Sequence, residues 1–329
     1  MIAVTGANGL LGSFIVRKLH QQNIPFVGIK RKNSSLSNLG DMAEKINWRN
    51  IDIVDPISVH EALKGVSGVI HCAALVSYNP RMTQQLYDIN VTGTRNIVDA
   101  CLEHGIRRLL HVSSVAALGR QKEQTAIDET NKWIDSPLNT SYGESKYLAE
   151  LEVFRGQEEG LSTVCINPSV ILATADWNNS SAQLFKYVWN EKRFYIDGCM
   201  NYVDVRDVAE MVIHLYNSEI ENERFIASAG SISFKEFFDK IAKHFDRRSP
   251  SVKLGKGMIR FVARLEHVRS ILTGSNPLIT RETARLADTN FVFKNEKAKD
   301  RLNLEFQTID STLAWCCEYY IKLNGAKNE

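Results

Sequence analysis

The sequence lacks the features that mark membrane, secreted and nucleic-acid-binding proteins. No apolar run approaches the roughly 20 residues that a membrane helix requires, and strand-type residues begin at Ile2, which leaves no room for a signal peptide. The 40 Lys and Arg residues nearly balance the 38 Asp and Glu residues, for a net charge of +2, whereas capture of a phosphate backbone requires a strong positive field. We therefore expect a cytoplasmic protein with a small-molecule substrate, no nucleic-acid partner and no membrane contact.

Metal and disulfide motifs are also missing. The six cysteines show neither Cys-x-x-Cys pairs nor the Cys/His spacing of a zinc site, and most lie in apolar runs, where a thiol packs as a small hydrophobic group. We expect reduced, mostly buried thiols and no bound metal. A composition of 44% apolar and 24% charged residues over 329 positions excludes a disordered chain and allows two domains, or one large α/β unit with an appendage.

Short β-rich apolar runs alternate with helix-length segments through the first half of the chain. Apolar residues three and four apart predict helices over Leu11 to His20, Gln84 to His104 and Tyr142 to Phe154. Strands separated by helices form a parallel sheet with right-handed crossovers, so we predict an α/β fold with a Rossmann-type doubly wound sheet. Its strands are predicted over Ile2 to Thr5, Phe26 to Lys30, Ile46 to Asp52, Gly68 to Cys72, Arg108 to Ser113 and Leu161 to Asn167.

After Pro168 the regular alternation is lost, and the rest of the chain has a mostly helical pattern. Strands over Tyr202 to Val205 and Phe225 to Ala229 can extend the same sheet, and Gly255 to Leu272 is predicted as a cap helix rather than a membrane-surface helix. We therefore predict two parts. Residues 1–168, with returns near 201–228 and 306–322, form the nucleotide-binding domain, and residues 169–200 and 229–305 form a smaller substrate-binding lobe.

A glycine-rich turn follows the first predicted strand and opens directly into a helix. The segment reads Thr-Gly-Ala-Asn-Gly-Leu-Leu-Gly over residues 5–12. Its first glycine can form the tight turn, its second lets the backbone approach a pyrophosphate, and its third allows the helix to pack closely on the strand. The alternative is an ordinary strand-to-helix turn. The predicted pyrophosphate site comprises Gly6, Asn8, Gly9, Leu10, Leu11 and Gly12.

Basic residues follow the second predicted strand, where an NAD-binding fold usually places an acid. That acid holds the ribose 2′-hydroxyl, but this chain has Lys30, Arg31 and Lys32. A 2′-phosphate carries roughly −1.5 to −2 charges, and the Arg fork suits its oxygens. We predict NADP(H), bound through Arg31 and Lys32; the alternative is a solvated basic turn. Asp52 and Ile53, after the third strand, are predicted to meet the adenine, although an acid there also forms turns.

A tyrosine and a lysine lie four residues apart in one predicted helix. Tyr142 and Lys146 therefore share a face of that helix, whose N-terminus a Thr or Ser just upstream can cap. The strand before this helix ends in two serines, Ser113 and Ser114. This combination of hydroxyl and ammonium groups behind a nucleotide-binding turn indicates a proton-transfer site.

With the glycine turn, these elements resemble the extended short-chain dehydrogenase/reductases of the NAD-dependent epimerase/dehydratase superfamily. That family is marked by Thr-Gly-x-x-Gly-x-x-Gly and by Tyr-x-x-x-Lys with an upstream serine. The tail segments 277–282 and 295–298 resemble the branch of dihydroflavonol 4-reductases and 3β-hydroxysteroid dehydrogenases. Asn167 departs from the Arg that is common before the family's proline. Other segments that resemble family landmarks are residues 69–74, 90–96, 167–170 and 202–209.

The resemblance implies several contacts with the cofactor. Ala73 and Ala74, which follow the fourth strand, are expected beside it, as are Pro168 and Val170 after the sixth. By the same resemblance, Lys146 binds the hydroxyls of the nicotinamide ribose.

Catalytic roles follow from the chemistry of the residue types. Hydride transfer to a carbonyl builds negative charge on oxygen, so the site must supply a proton and a second hydrogen-bond donor. Tyr142 is predicted as the acid and Ser114 as the donor; Ser114 is preferred to Ser113 because successive strand residues face opposite ways. Lowering a phenol pKa from near 10 toward 7 takes about 4 kcal/mol of preference for phenolate. We expect Lys146 to supply it in a desolvated site.

Three further polar residues each have a catalytic and a structural interpretation. Asn90 either organises a proton-relay water or caps local backbone, and the sequence does not separate the two. His71 and His111 lie in central strands without an accompanying acid/His spacing. We therefore predict that both are satisfied core residues rather than ligands.

The sequence thus predicts an NADP(H)-dependent oxidoreductase that transfers hydride between nicotinamide and a ketone or secondary alcohol of a moderately apolar molecule. One alternative is a nucleotide-sugar epimerase or dehydratase of the same family, which would prefer NAD and an acid after the second strand. Another is a non-catalytic NADP-sensing protein, although such proteins have usually lost the tyrosine or the lysine. The resemblance also implies a homodimer through the helices of residues 84–104 and 142–154. The substrate and the direction of reaction do not follow from the sequence.

Overall fold

A seven-stranded parallel sheet forms the centre of the protein. The computed structural model describes residues 1–121, 124–176, 181–255, 257–258 and 290–325. Its strands are β1 Ile2–Thr5, β2 Phe26–Lys30, β3 Trp48–Asn50, β4 Gly68–His71, β5 Arg108–Val112, β6 Ala126–Ile127, β7 Ser162–Pro168, β8 Val170–Leu172, β9 Phe194–Tyr195, β10 Cys199–Asp204, β11 Glu223–Ala227, β12 Gly230–Ser233, β13 Val252–Lys253 and β14 Val292–Phe293. The α-helices of these residues are α1 Leu10–Gln21, α2 Pro56–Ala62, α3 Thr83–Tyr87, α4 Gly93–Glu103, α5 Ser141–Glu158, α6 Ala182–Trp189, α7 Val205–Asn217, α8 Phe234–Phe245, α9 Glu296–Leu302 and α10 Ile309–Gly325.

The order of strands in the large sheet is β11-β7-β5-β4-β1-β2-β3, and every neighbouring pair is parallel. The chain order reverses between β1 and β4, which is the position where doubly wound folds bind ligands at the carboxyl ends of the strands. The predicted Rossmann-type α/β fold is therefore confirmed. The first two strands have the predicted bounds, whereas the third is shorter than predicted.

Helices cover both faces of the large sheet. On one face, α1 and α7 bury residues such as Ile15 and Val212 against the strands. On the other face, α2, α4 and α5 bury residues such as Val59, Ile97 and Val153. Because both faces are covered, β1 and β4 are buried along their whole length instead of alternating between buried and exposed residues.

A smaller sheet begins where β7 ends. Pro168 has no backbone N–H for the ladder, and after it the chain leaves the large sheet to form β8. Strand β10 pairs with β8 and β12 in a separate three-stranded sheet, so the expectation that a strand over Tyr202 to Val205 extends the large sheet is wrong. The strand expected at Phe225 to Ala229 does extend it, as β11 beside β7.

A second hydrophobic core joins this small sheet to α6, α8 and α10. Phe185, Phe237 and Tyr320 are fully buried there, one from each helix. The C-terminal helix α10 thus packs on elements of the expected substrate lobe. The predicted helix over 255–272 and the segment 277–282 fall largely outside the described residues. Within the described ranges, no helix is both long and apolar enough to cross a membrane; the predicted division into two parts stays a prediction.

Candidate active site

Gly6 and Gly12 occupy positions that a side chain cannot enter. Gly6 has a φ of +65°, and a Cβ atom on it would lie 2.9 Å from the backbone nitrogen of Ala73, just beyond β4. A Cβ atom on Gly12 would lie 2.1 Å from the carbonyl oxygen of Gly6. The N-terminus of α1, with its free N–H groups, is therefore held against the carboxyl ends of β1 and β4, where an anion is favoured.

A cleft of about 210 Å³ lies at this edge of the sheet. Its walls come from the glycine turn, the end of β2, the segment after β3 and the segment after β4. Seven of the predicted cofactor residues line it: Gly6, Asn8, Gly9, Arg31, Ile53, Ala73 and Ala74. The other predicted cofactor residues do not line this cleft: Leu10, Leu11, Gly12, Lys32, Asp52, Lys146, Pro168 and Val170. The sequence did not predict four apolar residues of the lining, because an apolar side chain has no chemical feature that marks it as a cofactor contact. These residues are Ile29, Ile51, Leu75 and Ile89.

The rim of the cleft after β2 is basic and carries no acid. Arg31 and Lys32 are exposed, and the Lys30 ammonium lies 5.7 Å from the ring centre of Trp48. The Asn8 amide donates to the carbonyl oxygen of Ser35 at 2.9 Å, which joins the glycine turn to this loop. Asp52 is exposed and accepts from the backbone nitrogen two residues later, so it forms a turn.

The N-terminus of α5 lies against the turn that follows Ser114. Thr140 caps this helix, since its hydroxyl accepts from the Gly143 backbone nitrogen at 3.0 Å. A Cβ atom on Gly143 would lie 2.8 Å from the carbonyl oxygen of Ala116. Glycine at this position therefore allows the helix to approach closely, which brings Tyr142 to the Ser114 hydroxyl.

Tyr142 is buried, and its phenol lies within hydrogen-bonding reach of the Ser114 hydroxyl. The Ser113 hydroxyl faces the Glu150 carboxyl group instead. Burial raises the pKa of the Tyr142 phenol, the nearby Tyr78 phenol raises it further, and the Ser114 hydroxyl lowers it. The phenol is therefore protonated at neutral pH, and the structure does not show the expected lowering of its pKa by Lys146.

Lys146 lies one helical turn beyond Tyr142 and is 1% exposed. Its Nζ donates to the carbonyl oxygen of Val112 at 2.9 Å and lies 3.5 Å from Nε2 of His111. Burial lowers the pKa of this ammonium to about 8, while the negative charge of Glu150 opposes the shift. The amine thus titrates in a range where small changes in its surroundings alter its charge.

A buried carboxyl group lies one further turn along the same helix. Glu150 is fully buried; its Oε1 accepts from Nδ2 of Asn167 at 2.5 Å, and its Oε2 lies 3.4 Å from the Arg224 guanidinium. The same Asn167 nitrogen donates to the carbonyl oxygen of Ser114 at 3.0 Å. Neither Glu150 nor Arg224 was predicted from the sequence. The spacing of four residues between Lys146 and Glu150 does indicate that their side chains lie on the same face of the helix.

Asn90 and His71 form a buried polar network behind the cleft. The Asn90 side chain bonds both the backbone nitrogen and the oxygen of Leu75, at 2.7 and 3.0 Å, and donates to the Ser145 hydroxyl at 2.9 Å. It therefore serves local structure, within a π-helical turn at Asp88–Thr92 that interrupts the predicted helix over 84–104. His71 lies between the hydroxyls of Thr5 and Thr94, at 2.6 and 3.1 Å.

Both histidines are buried in the core, as predicted, but only His71 has a hydrogen-bond partner at each ring nitrogen. Burial lowers the pKa of His71 to about 3, so its ring is neutral, and the ring centre of His111 lies 5.2 Å away. Nδ1 of His111 has no hydrogen-bond partner. Across the described ranges, no group of three His, Cys, Asp or Glu side chains is placed to hold a metal ion.

Comparison with known proteins places this arrangement in a family. Residues 2–226 match the model of the NAD dependent epimerase/dehydratase family. The chain belongs to this family. Cinnamoyl-CoA reductase 1 of Petunia hybrida is 29% identical over 261 residues, which cover 74% of this chain and 77% of that protein. A Synechocystis protein provisionally named dihydroflavonol 4-reductase is 26% identical over 94% of this chain and 92% of its own length.

Solved structures of the family have the same fold. The crystal structure of gox2253 superposes with a TM-score of 0.83 at 27% identity, covering 99% of this chain and 98% of the other. The epimerase/dehydratase family membership and its reductase branch, which the motifs predicted, are thereby confirmed. The two relatives carry reductase names, which agrees with an oxidoreductase of the epimerase/dehydratase family.

Proposed function

We propose that this protein is an NADP(H)-dependent oxidoreductase that interconverts a ketone and a secondary alcohol on a moderately apolar small molecule. The observation that carries the proposal is the pairing of the Ser114 hydroxyl with the buried Tyr142 phenol, with buried Lys146 one turn beyond, at the carboxyl edge of a doubly wound sheet. The relatives that carry reductase names support a reduction of a carbonyl group.

The residues around the cleft fit a dinucleotide phosphate. Gly6 leaves room that any Cβ would fill, and the segment at Ala73 closes the opposite wall. Lys30 and Arg31 line the rim, and the loop of residues 31–39 contains no Asp or Glu that would repel a 2′-phosphate. When bound, the nicotinamide supplies or accepts the hydride.

The protein's own groups supply the proton and the stabilisation of charge. A phenol with a raised pKa holds its proton at neutral pH, so Tyr142 can donate it to a carbonyl oxygen that becomes an alkoxide. The Ser114 hydroxyl provides the second donor; loss of one such donor typically costs about 2.7–4 kcal/mol of transition-state stabilisation. Lys146 adds a buried positive charge and, by family resemblance, holds the cofactor ribose.

An epimerase or dehydratase is the second candidate function, because the matching family is named for both activities. It requires retained NAD and a nucleotide-sugar site. The basic rim at Lys30 and Arg31 favours NADP(H) over NAD(H). A non-catalytic NADP-sensing protein is the third candidate, and the presence of both Tyr142 and Lys146 argues against it.

The test is a panel of ketones and secondary alcohols screened for changes in NADPH or NADP⁺ absorbance, with UDP-sugars screened in parallel for epimerisation. Reduction of ketones with NADPH, but poorly with NADH, supports the proposal. Epimerisation of a UDP-sugar by protein that purifies with bound NAD would replace it with the second candidate. Cofactor binding without any turnover would favour the sensor.

We further propose that the protein is cytoplasmic and forms a homodimer through α4 and α5. The outer faces of these helices carry a charged network in which Arg155 bonds Asp99 at 2.6 Å and Glu152 at 3.0 Å. Light scattering on the purified protein measures the assembly directly; a monomer at micromolar concentration would contradict the dimer.

A further inference from the structure

Arg120 is a partly buried cation that has no acidic partner among the residues that the structure describes. It follows the turn that begins at Ser114, and its side chain is only partly exposed. Its Nε atom is inaccessible to solvent and makes no hydrogen bond. Burial lowers the pKa of the guanidinium, yet an arginine keeps its charge at neutral pH. The side chain therefore carries a full positive charge in a poorly solvated position.

Its position lies beside the proposed proton donor. The Tyr78 phenol is near enough to raise the pKa of Arg120, and the Tyr78 ring packs edge-on against Tyr142 with 5.8 Å between ring centres. The Arg120 backbone nitrogen donates to Oδ1 of Asn139 at 3.1 Å, one residue before the cap of α5. Arg120 and Tyr142 thus flank Tyr78.

Other partly buried arginines of the described chain have partners, which are either carboxylates or, as for Arg17 and Arg108, backbone carbonyl oxygens. Arg206 pairs with Asp204 at 2.6 Å, and Arg224 pairs with Glu150 at 3.4 Å. Arg120 instead lies 5.8 Å from the ring centre of Phe291, a contact that adds little compared with a paired carboxylate. Within the described ranges, no carboxyl group forms an ion pair with it. Holding an uncompensated charge away from water is unfavourable, and an anionic ligand would relieve that cost.

We propose that Arg120 binds a carboxylate on the substrate, at a distance from the carbonyl that Tyr142 protonates. The inference rests on the proposed function and specifies its substrate class: a ketone or alcohol that carries an acidic group. The planar guanidinium of Arg120 can donate two parallel hydrogen bonds to a carboxylate, and a monoanion matches its single charge. Tyr78 and Phe291 supply the apolar surroundings that strengthen such a pair.

The experiment compares each carboxylate with its neutral methyl ester. 4-Acetylbenzoate and levulinate are tested with their methyl esters as NADPH-dependent substrates of the full-length protein and of Arg120→Gln, Arg120→Lys and Lys132→Gln. Lys132 is an exposed cation of the same loop region, so its variant is the matched control for loss of charge. NADPH affinity measured for every variant shows that the fold is intact.

We expect the unmodified protein and Lys132→Gln to prefer at least one carboxylate over its ester by tenfold or more in kcat/KM. Arg120→Gln should abolish the preference by raising KM for the carboxylate about 10–100-fold, the range for a charged hydrogen bond, while the ester is unaffected. Arg120→Lys should retain part of the preference for the carboxylate, because lysine keeps the positive charge but lacks the planar guanidinium. Equal preference in the protein and in Arg120→Gln would overturn the proposal.

Failure of the reductase proposal itself has a separate signature. If no ketone is reduced, calorimetric titration of 4-acetylbenzoate and of inorganic phosphate into NADPH-saturated protein still tests Arg120. Binding of 4-acetylbenzoate that Arg120→Gln abolishes supports the carboxylate site independently of turnover. Binding of phosphate alone, or of neither anion, would overturn it.

Discussion

The charge of Glu150 should set the pH range in which Lys146 is active. Glu150→Gln removes that charge and changes the shape little, because the Gln amide oxygen can still accept from Asn167. Lys146 has a pKa lowered to about 8 by burial and is surrounded by His111 on β5, His71 and Cys72 at β4, and Cys165 on β7. Among the charged and titratable groups around Lys146, Glu150 makes the largest contribution that favours the ammonium.

The size of the effect follows from the helix spacing. Residues four apart have Cβ atoms about 5–6 Å apart, and opposite charges about 7 Å apart at an effective dielectric constant of about 20 interact by about 2.4 kcal/mol, or nearly two pKa units. Arg224, paired with Glu150, offsets part of this. The pKa of Lys146 should therefore fall by about one unit in Glu150→Gln.

The sign of the shift is opposite to that of a carboxyl group. Lys146 is an ammonium below its pKa, so if the ammonium is the active form, the rate of reduction declines as pH rises through that pKa. Removing the Glu150 charge lowers the pKa and moves the decline to lower pH.

The assay is kcat/KM against pH with saturating NADPH, for the unmodified protein, Glu150→Gln and Glu144→Gln. Glu144 is an exposed acid on the same helix, so solvent screens its charge and its variant should leave the profile in place. Thermal unfolding should show a loss of about 1–3 kcal/mol for Glu150→Gln, because Arg224 loses its ion pair. The reasoning would be refuted if, in a folded Glu150→Gln variant, the decline of kcat/KM at high pH stayed in place or moved to higher pH.

Three further substitutions test the remaining roles. Ser114→Ala should retain NADPH affinity and reduce kcat by about 10²-fold or more, by analogy with loss of one oxyanion donor; normal turnover would remove Ser114 from the site. Lys146→Met should both weaken NADPH binding, measured by calorimetry, and slow hydride transfer, measured by single-turnover kinetics. An effect on only one of these would show that Lys146 has only one of its two assigned roles. The protein should bind NADP(H) at least about tenfold more tightly than NAD(H), or about 1.4 kcal/mol, and Arg31→Asp should erase that preference while Arg107→Asp, at the opposite edge of the sheet, leaves it unchanged.

Local signals predicted the elements that local chemistry determines. The bounds of β1 and β2 agree with the sequence because both strands are continuous apolar runs that end at turn residues. The glycine turn was readable because only glycine fits at Gly6, where φ is +65° and Ala73 closes the space. The capping of α5 by Thr140 follows from side-chain chemistry alone.

Features that depend on distant parts of the chain were not predictable in this way. Arg224 reaches Glu150 because β11 pairs with β7 so that Arg224 is opposite Cys165, and no local pattern encodes that pairing. The strand at Tyr202 joins the small sheet because β8 leaves the large one after Pro168. The direction of the Tyr142 pKa shift depends on how deeply the folded site is buried, which residue types do not reveal.

The most direct test of the central claim is single-turnover hydride transfer from NADPH in Tyr142→Phe, with Tyr147→Phe as the control. Tyr147 stacks on Trp133 with 4.6 Å between ring centres, so its variant removes a hydroxyl from the same helix but not from the proposed site. With Tyr142 as the proton donor, Tyr142→Phe retains NADPH affinity and loses roughly 10²–10⁴-fold in rate, while Tyr147→Phe reacts normally. A normal rate in Tyr142→Phe would contradict the catalytic assignment and favour a protein that binds the cofactor without using this site for turnover.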